Sequence, residues 1–203
     1  MKRFALFFAL ALCLISVGCN RKSDVPGPVD DSVGNANQVS VETSQGSFVI
    51  QLNSSVAPIT AENFIKNVES GTYNNTLIHE VLDNCIVMMG RNNPPMGVSD
   101  SQTIKNESSA LNPNKKWTVA AMHAPSNTQS DSMQILINMV DNPELDFVAP
   151  GTTPDTCGYC VFGEVVSGRE VLEKINKTPV QVQGDFEFAP VPPITIIKMT
   201  RGK

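Results

Sequence analysis

The stretch G-T-Y-N-N-T-L-I-H-E-V-L-D-N-C-I-V-M-M-G, residues Gly71 to Gly90, decides the fold of this chain. Within it, Leu77 to Val81 and Cys85 to Met89 are short apolar runs of the length and composition typical of β-strands. A companion segment, Gln134 to Met139, reads Q-I-L-I-N-M and is a third predicted strand. These segments indicate a protein built mainly from β-strands.

The sequence on either side of these segments predicts further strands. Val39 to Thr43 and Ser47 to Leu52 alternate apolar and polar residues around a Gln45-Gly46 turn signal, which predicts a β-hairpin. Three more strands are expected later in the chain, at residues 117–122, 158–165 and 194–199.

Two helices are expected between the strands. The first begins with Thr60 as its N-cap, carries apolar residues at helical spacing from Phe64 to Val68, and stops at Gly71. The second covers Gly168 to Ile175, with its apolar residues on one face. Many short strands, two helices and generous loops favour a closed antiparallel β-barrel capped by the two helices.

The segments quoted above resemble the groove-forming segments of cyclophilins, G-x-Y-x-x-x-x-F-H-R-V-I-x-x-F-M-x-Q-G-G and Q-F-F-I. Further blocks match in the same order at Ala57–Phe64, Leu145-Asp146 and Val161–Val171. The resemblance runs from about Val39 to Met199 and implies a cyclophilin-like barrel that binds proline-containing peptide segments. It also implies peptidyl-prolyl cis-trans isomerase activity, which needs no cofactor and no metal.

The resemblance further implies which residues form the site. In cyclophilins an arginine donates toward the prolyl nitrogen, a glutamine binds the peptide backbone, and an apolar pocket holds the proline ring. Here Glu80 takes the arginine position and Gln134 retains the glutamine. The remaining peptide-binding positions fall on His79, Cys85, Ile86, Met88, Met122, His123, Ala124, Leu136 and Tyr159.

Glu80 is the departure with the largest chemical consequence. A carboxylate accepts hydrogen bonds and has no proton to donate at neutral pH, so it cannot replace the arginine. Three alternatives would restore a donor: Arg91, His123, or a Glu80 protonated by burial. The sequence therefore leaves two functions open, a weakened isomerase and a non-catalytic peptide-binding or protein-binding module.

The cysteines of the domain raise the question of a disulfide. Cys157 and Cys160 form a C-x-x-C that enters a predicted strand, whereas a redox motif would begin a helix. We expect a structural disulfide, either between these two or from one of them to Cys85. A zinc site is not expected, because two further ligands at suitable spacing are missing.

The N-terminus predicts export and membrane attachment. Lys2 and Arg3 precede an apolar run from Phe4 to Val17, which has the length of a signal peptide. The run leads to Cys19 in a sequence that resembles the lipobox of bacterial lipoproteins, so residues 1–19 are interpreted as a lipoprotein signal and Cys19 as the lipidated residue. The alternative is an ordinary signal peptide.

Composition completes the expectations. Residues 20–38 lack a hydrophobic period and form the expected flexible tether before the domain of residues 39–203. The formal net charge of −5 argues against a nucleic-acid partner. We expect a monomer in the bacterial cell envelope, lipid-anchored to a membrane, with its domain on the exported side.

Overall fold

The computed structural model describes residues 35–90, 103–123, 129–149 and 157–203. Cys19, Arg91 and Ala124 lie outside these ranges. The helices are α1 (Pro58–Glu69) and α2 (Arg169–Asn176), with a 3₁₀ turn at Pro143–Leu145. The strands are β1 (Gln38–Thr43), β2 (Gly46–Leu52), β3 (Thr76–Leu82), β4 (Ile86–Met89), β5 (Thr103–Ile104), β6 (Thr118–Ala121), β7 (Ser130–Asp131), β8 (Ile135–Asn138), β9 (Cys160–Ser167), β10 (Val180–Gln183), β11 (Phe186–Pro190) and β12 (Ile194–Arg201).

Eight of these strands close into an antiparallel barrel in the order β1-β12-β3-β4-β8-β6-β9-β2. Alternation along each strand sends one set of side chains into the barrel and the other set outward. In the first hairpin, Val39 lies opposite Ile50 and Val41 opposite Phe48, and all four side chains are fully buried. The predicted closed barrel is confirmed.

The two helices close the ends of the barrel. Phe64 of α1 packs against Tyr73 and Phe162, with ring centroids 5.5 and 5.2 Å apart. The apolar face of α2 buries Val171, Leu172 and Ile175 in the same core. Burying three such aliphatic side chains contributes about 5–9 kcal/mol in transfer free energy, so most of the stability of α2 comes from packing.

The beginning of α1 differs from the prediction. Ala57, and not Thr60, is the N-cap, and Pro58 opens the helix. No side chain of the helix itself caps it; instead Glu107 accepts hydrogen bonds from the Ile59 and Thr60 N–H groups at 3.2 and 2.8 Å. Thr60 was the wrong cap because a distant carboxylate supplies the acceptor that a local side chain usually provides.

The hairpin of β10 and β11 was not predicted. β10 alternates apolar and polar residues as Val-Gln-Val-Gln, but the run is only four residues long, the lower limit for a recognisable strand, and every residue of it is exposed. β11 lies against the outside of β3, where the buried ring of Phe186 packs on His79 at a centroid distance of 4.9 Å. This hairpin places a second layer beside the barrel wall.

Among the described residues, no helix has the length and apolar character needed to cross a membrane.

Candidate functional site

A row of outward-facing residues crosses five adjacent strands of the barrel. Glu80 on β3 lies opposite Met88 on β4, and Met88 lies opposite Leu136 on β8. Leu136 in turn lies opposite Ala120 on β6, and Ala120 opposite Val161 on β9. Directly opposed side chains sit about 4.5–5.5 Å apart at Cβ, so the row is continuous. We call it the outer strip, and Glu80 is its acidic end.

The apolar part of this strip forms a cluster separate from the barrel core. We call it the outer cluster: Met88, Ala120, Leu136 and Val161, all buried, with partly buried side chains packed around them. The next residues on the same strands, such as Val87 and Ile137, face inward and belong to the main core. The surrounding side chains are Leu82, Ile86, Met122, Leu145 and Tyr159.

Five of the residues that the sequence placed in the pocket therefore meet in one cluster. Met88 and Leu136 form its centre, and Ile86 and Met122 lie at its edge, as does Tyr159. Cys85 precedes β4 and is partly exposed; its Sγ lies 3.9 Å from Asn142 Oδ1, beside the cluster and not within it.

Glu80 stands at the open end of the strip, partly exposed. Its Oε1 accepts a hydrogen bond of 3.1 Å from the backbone N–H of Glu187 in β11. The carboxylate thus acts as an acceptor that ties the hairpin to β3. The alternative of a Glu80 neutralised by burial lacks its premise, since the side chain is not buried.

Gln134 lies two residues before Leu136, so alternation puts both side chains on the outer face. Its Nε2 donates to Asp131 Oδ2 at 3.0 Å, and Asp131 Oδ1 accepts from the Met133 and Gln134 N–H groups at 2.7 and 2.8 Å. With one amide proton committed to Asp131, Gln134 has its second N–H and its carbonyl oxygen to offer a peptide backbone.

Gly90 keeps β4 close to the segment that carries Gln134. Its φ is +96°, and a Cβ added there would collide with the carbonyl oxygen of Met133. Glycine is therefore required at this position both for its backbone angle and for the close approach. The result is that Gln134 is held beside the middle of the outer strip, two residues before Leu136.

The far side of the outer cluster is aromatic. His123 is buried, and its ring stacks on that of Tyr159 with centroids 4.5 Å apart and planes 33° apart. Tyr159 donates its backbone N–H to the Leu145 carbonyl at 2.9 Å. The side chains of Tyr159 and Leu145 both pack against the outer cluster at this wall. Burial, with a smaller contribution from nearby Cys157, raises the pKa of the Tyr159 phenol, so it remains neutral at physiological pH.

A buried asparagine network supports this wall, and the sequence analysis missed it. Asn138 is fully buried at the end of β8; its Nδ2 donates to Asn114 Oδ1 at 3.1 Å, and its Oδ1 accepts from Asn142 Nδ2 at 2.8 Å. Asn114 Nδ2 donates to the Leu145 carbonyl at 2.8 Å and lies 3.3 Å from that of Tyr159. The available signal was an asparagine that ends an otherwise apolar strand.

His79 lies away from the outer cluster. It is buried beneath the β10–β11 hairpin, against Phe186, and lines a small cavity of about 20 Å³ together with Leu77 and Ala189. In this position His79 supports the hairpin and does not line the strip.

The predicted disulfide is wrong, because Cys85, Cys157 and Cys160 are all free thiols. Cys160 points into the core, with Sγ 3.5 Å from Thr60 Oγ1, whereas Cys157 lies before β9 and accepts from Asn106 Nδ2 at 3.2 Å. Burial raises the pKa of the Cys160 and Cys85 thiols. Within the described ranges, no three His, Cys, Asp or Glu side chains come together as a metal site.

Comparison with known proteins gives a consistent result. Residues 38–201 match the family model for cyclophilin type peptidyl-prolyl cis-trans isomerases. A peptidyl-prolyl cis-trans isomerase of Acinetobacter baylyi is 34% identical over 162 residues, which is 79% of this chain and 83% of the relative. Peptidyl-prolyl cis-trans isomerase B of Escherichia coli is 33% identical over 163 residues, covering 80% of this chain and 98% of the relative.

Solved structures show the same fold. A cyclophilin type isomerase of Cryptosporidium parvum, crystallised in the presence of the dipeptide Ala-Pro, superposes with a TM-score of 0.69 at 19% identity. The match covers 82% of this chain and 99% of that protein. A cyclophilin of Hirschia baltica gives a TM-score of 0.61 at 16% identity, covering 85% of this chain and 75% of that protein.

Proposed function

Because the chain belongs to the cyclophilin-type peptidyl-prolyl cis-trans isomerase family, we propose that it acts on X-Pro bonds of exported proteins in the bacterial cell envelope, with weakened activity. The observation that carries this proposal is the outer cluster beside Gln134, with Glu80 at its open end. The apolar strip supplies a surface for a proline ring, and Gln134 supplies a polar partner for the peptide backbone.

The weakness follows from the chemistry of the reaction. The barrier to X-Pro isomerisation, about 18–20 kcal/mol, comes from amide resonance. A donor directed at the prolyl nitrogen localises its lone pair and stabilises the twisted transition state. Glu80 offers no proton for this role, and the loss of one such donor costs about 10²–10³ in rate. The apolar surface and Gln134 leave binding and desolvation of the X-Pro segment to supply the remaining acceleration.

The cellular setting is part of the proposal. A lipid on Cys19 and a tether of residues 20–38 would hold the domain near a membrane on the exported side. There it would meet newly exported chains, whose X-Pro bonds isomerise in tens to hundreds of seconds without help.

The alternative is a non-catalytic binding module that uses the same surface. The position of Glu80 favours it: the carboxylate is partly exposed at the end of the strip and is fixed by the Glu187 N–H at 3.1 Å. A fixed carboxylate beside an apolar strip suits a proline-containing segment with a neighbouring basic side chain. In this function Glu80 contributes selectivity where an arginine would contribute catalysis.

A protease-coupled isomerisation assay on Ala-Pro tetrapeptides tests the two functions. We expect a small but measurable acceleration by the parent chain, its loss in Gln134→Ala, and a gain of about 10² in Glu80→Arg. Glu80→Gln removes the negative charge but keeps the hydrogen bond to the hairpin, since the amide oxygen can still accept from the Glu187 N–H. Glu42→Arg makes the same charge change at an exposed position on β1 and should leave the rate unchanged.

The possible outcomes distinguish the isomerase from the binding module. An uncatalysed rate at saturating parent protein rejects the isomerase, and a gain in Glu80→Arg would then show an intact surface that binds without turnover. Fluorescence anisotropy with labelled X-Pro peptides, flanked by either basic or acidic residues, tests the module directly. Absence of binding to either peptide, or equal binding to both, rejects the role given to Glu80.

A further inference from the structure

The outer face of the β10–β11 hairpin carries an unusual share of exposed apolar side chains. In the described part of the chain, eight large apolar side chains are strongly exposed, and four of them belong to this hairpin or directly follow it. Val182 is 73% exposed, Val180 40%, Phe188 39% and Val191 36%. A concentration of exposed apolar side chains on one element often marks a surface that binds another chain.

The two faces of the hairpin have different roles. Phe186 and Ala189 are buried and lie over β3, where they line the small cavity beside His79. Gln183 lies opposite Phe186 and lines the same cavity, so alternation sends its neighbour Val182 to the face away from the barrel. The hairpin is therefore anchored by one face and leaves the other to solvent.

β10 is also an open edge. Within the described residues it has a single strand partner, β11. The Val191 N–H donates to the Pro179 carbonyl at 2.7 Å, so Pro179 and Val191 are a hydrogen-bonded pair of the two strands. Hydrogen-bonded and non-hydrogen-bonded pairs alternate in an antiparallel ladder, so the N–H and C=O of the next residue, Val180, point away from β11. The strand Val-Gln-Val-Gln has no charge and no proline, two of the devices that protect an edge from pairing, although it is only four residues long and has an irregular register between Gln181 and Gln183.

Acidic groups border this edge and connect it to the candidate site. Asp185 and Glu187 are exposed around the hairpin turn. The Glu187 N–H donates to Glu80 at the end of the outer strip, so the hairpin and the strip share one acidic boundary. This charge favours a basic partner and opposes an anionic lipid surface.

We propose that β10 is a second binding surface, which takes an extended apolar and basic segment of a non-native client protein as an added strand. Main-chain hydrogen bonds to the edge would provide affinity, and the exposed valines would provide contacts for alternate side chains. The inference deepens the proposed function and rests on it for the client class: an X-Pro bond lies on the outer strip while a neighbouring stretch of the same chain pairs with β10.

The test uses a proline-free probe, so it does not depend on the outer strip. A fluorescent twelve-residue peptide of alternating valine and lysine is titrated with the full chain and followed by anisotropy. We expect binding that falls about tenfold in Val182→Lys, because that change removes apolar contact and adds repulsion. Val166→Lys makes the same substitution at a valine that is 46% exposed on β9, and should bind like the parent.

Further arms identify the occupant. An alternating valine and glutamate peptide should bind at least several-fold more weakly, and the tetrapeptide isomerisation rate should be equal in the parent and Val182→Lys. Equal loss of binding in Val182→Lys and Val166→Lys overturns the proposal. So does concentration-dependent dimerisation that Val182→Lys abolishes, or tight binding to vesicles of anionic lipid, since either assigns the edge to another occupant. Binding of the probe by a chain without isomerase activity upholds the surface and rejects only catalysis.

Discussion

At the scale of single residues, Glu80 joins the outer strip to a neighbouring element through its side chain. Its backbone pairs with Met88 just after an irregularity in the register between Ile78 and Glu80, and its side chain accepts a hydrogen bond from the Glu187 N–H at 3.1 Å. An arginine at the same place would need an acceptor. The neighbouring hairpin offers a backbone N–H, which is a suitable partner for a carboxylate.

Tyr73 provides a pH-dependent prediction at the same scale. Its phenol is 1% exposed, donates to the Met133 carbonyl at 3.0 Å, and has a pKa raised mainly by burial. Above a pH of about 10 the unfolded chain loses this proton while the folded chain retains it, so the unfolded state binds fewer protons. Stability should therefore be full below that pH and fall as the pH rises toward the higher pKa of the folded state.

Urea unfolding at pH values between about 8 and 11 measures this effect, since the range brackets the ordinary tyrosine pKa. Tyr73→Phe should lower the free energy of unfolding by about 1 kcal/mol at neutral pH, and this free energy should fall less steeply above pH 10 than in the parent. Tyr159→Phe is the control for the other tyrosine with a raised pKa. Parallel pH profiles for Tyr73→Phe and the parent would contradict the assignment to Tyr73.

At the scale of elements, the start of α1 depends on a residue far away in the sequence. Glu107 accepts from two backbone N–H groups and from the Thr60 hydroxyl at 2.9 Å. Glu107→Ala should lower the free energy of unfolding by about 1–2 kcal/mol, because it leaves the first turn without acceptors and removes a favourable charge from the helix N-terminus. Glu107→Gln should lower the free energy of unfolding by less than Glu107→Ala does, because its amide oxygen can still accept hydrogen bonds from the first turn.

Chemical denaturation followed by circular dichroism measures the cost of losing this cap. Glu42→Ala removes an exposed acidic residue from β1 and should change stability by less than about 0.5 kcal/mol. Equal stability of Glu107→Ala and the parent would show that water replaces the carboxylate without cost.

Which elements could be predicted from the sequence depends on where their determinants lie. The β1–β2 hairpin alternates strictly and both partners bury one face, so local pattern was sufficient. The cap of α1 and the support of the outer cluster by Asn138 depend on contacts between distant segments, which no local pattern records. β10 was missed because its alternating run of four residues is at the lower limit of a recognisable strand pattern.

At the scale of the whole molecule, the proposed anchor separates attachment from activity. If Cys19 carries lipid, Cys19→Ser should move the protein from the membrane fraction to the soluble fraction after cell lysis. Binding of X-Pro peptides should remain, because the candidate site lies within residues 39–203 and does not include Cys19. Fractionation and immunoblotting of both forms measure this, and membrane retention of Cys19→Ser would reject lipid attachment at that residue.

The candidate site shows a similar division between what could and could not be foreseen. Resemblance assigned Met88 and Leu136 to one binding site, and the strand register brings both side chains into the outer cluster. It did not place His79, which lies under a hairpin that the sequence analysis had not predicted. It also could not show that Asp131 already holds one amide proton of Gln134.

The alternation that separates the outer cluster from the barrel core has a consequence for the history of this protein. Replacements at positions such as Glu80, Met88 and Leu136 change the outer face, while their inward neighbours Val87 and Ile137 keep the fold. Descent can therefore alter the chemistry of the surface step by step, with each intermediate remaining a folded and heritable protein. A barrel of this kind can keep its fold while the chemistry of its outer face changes.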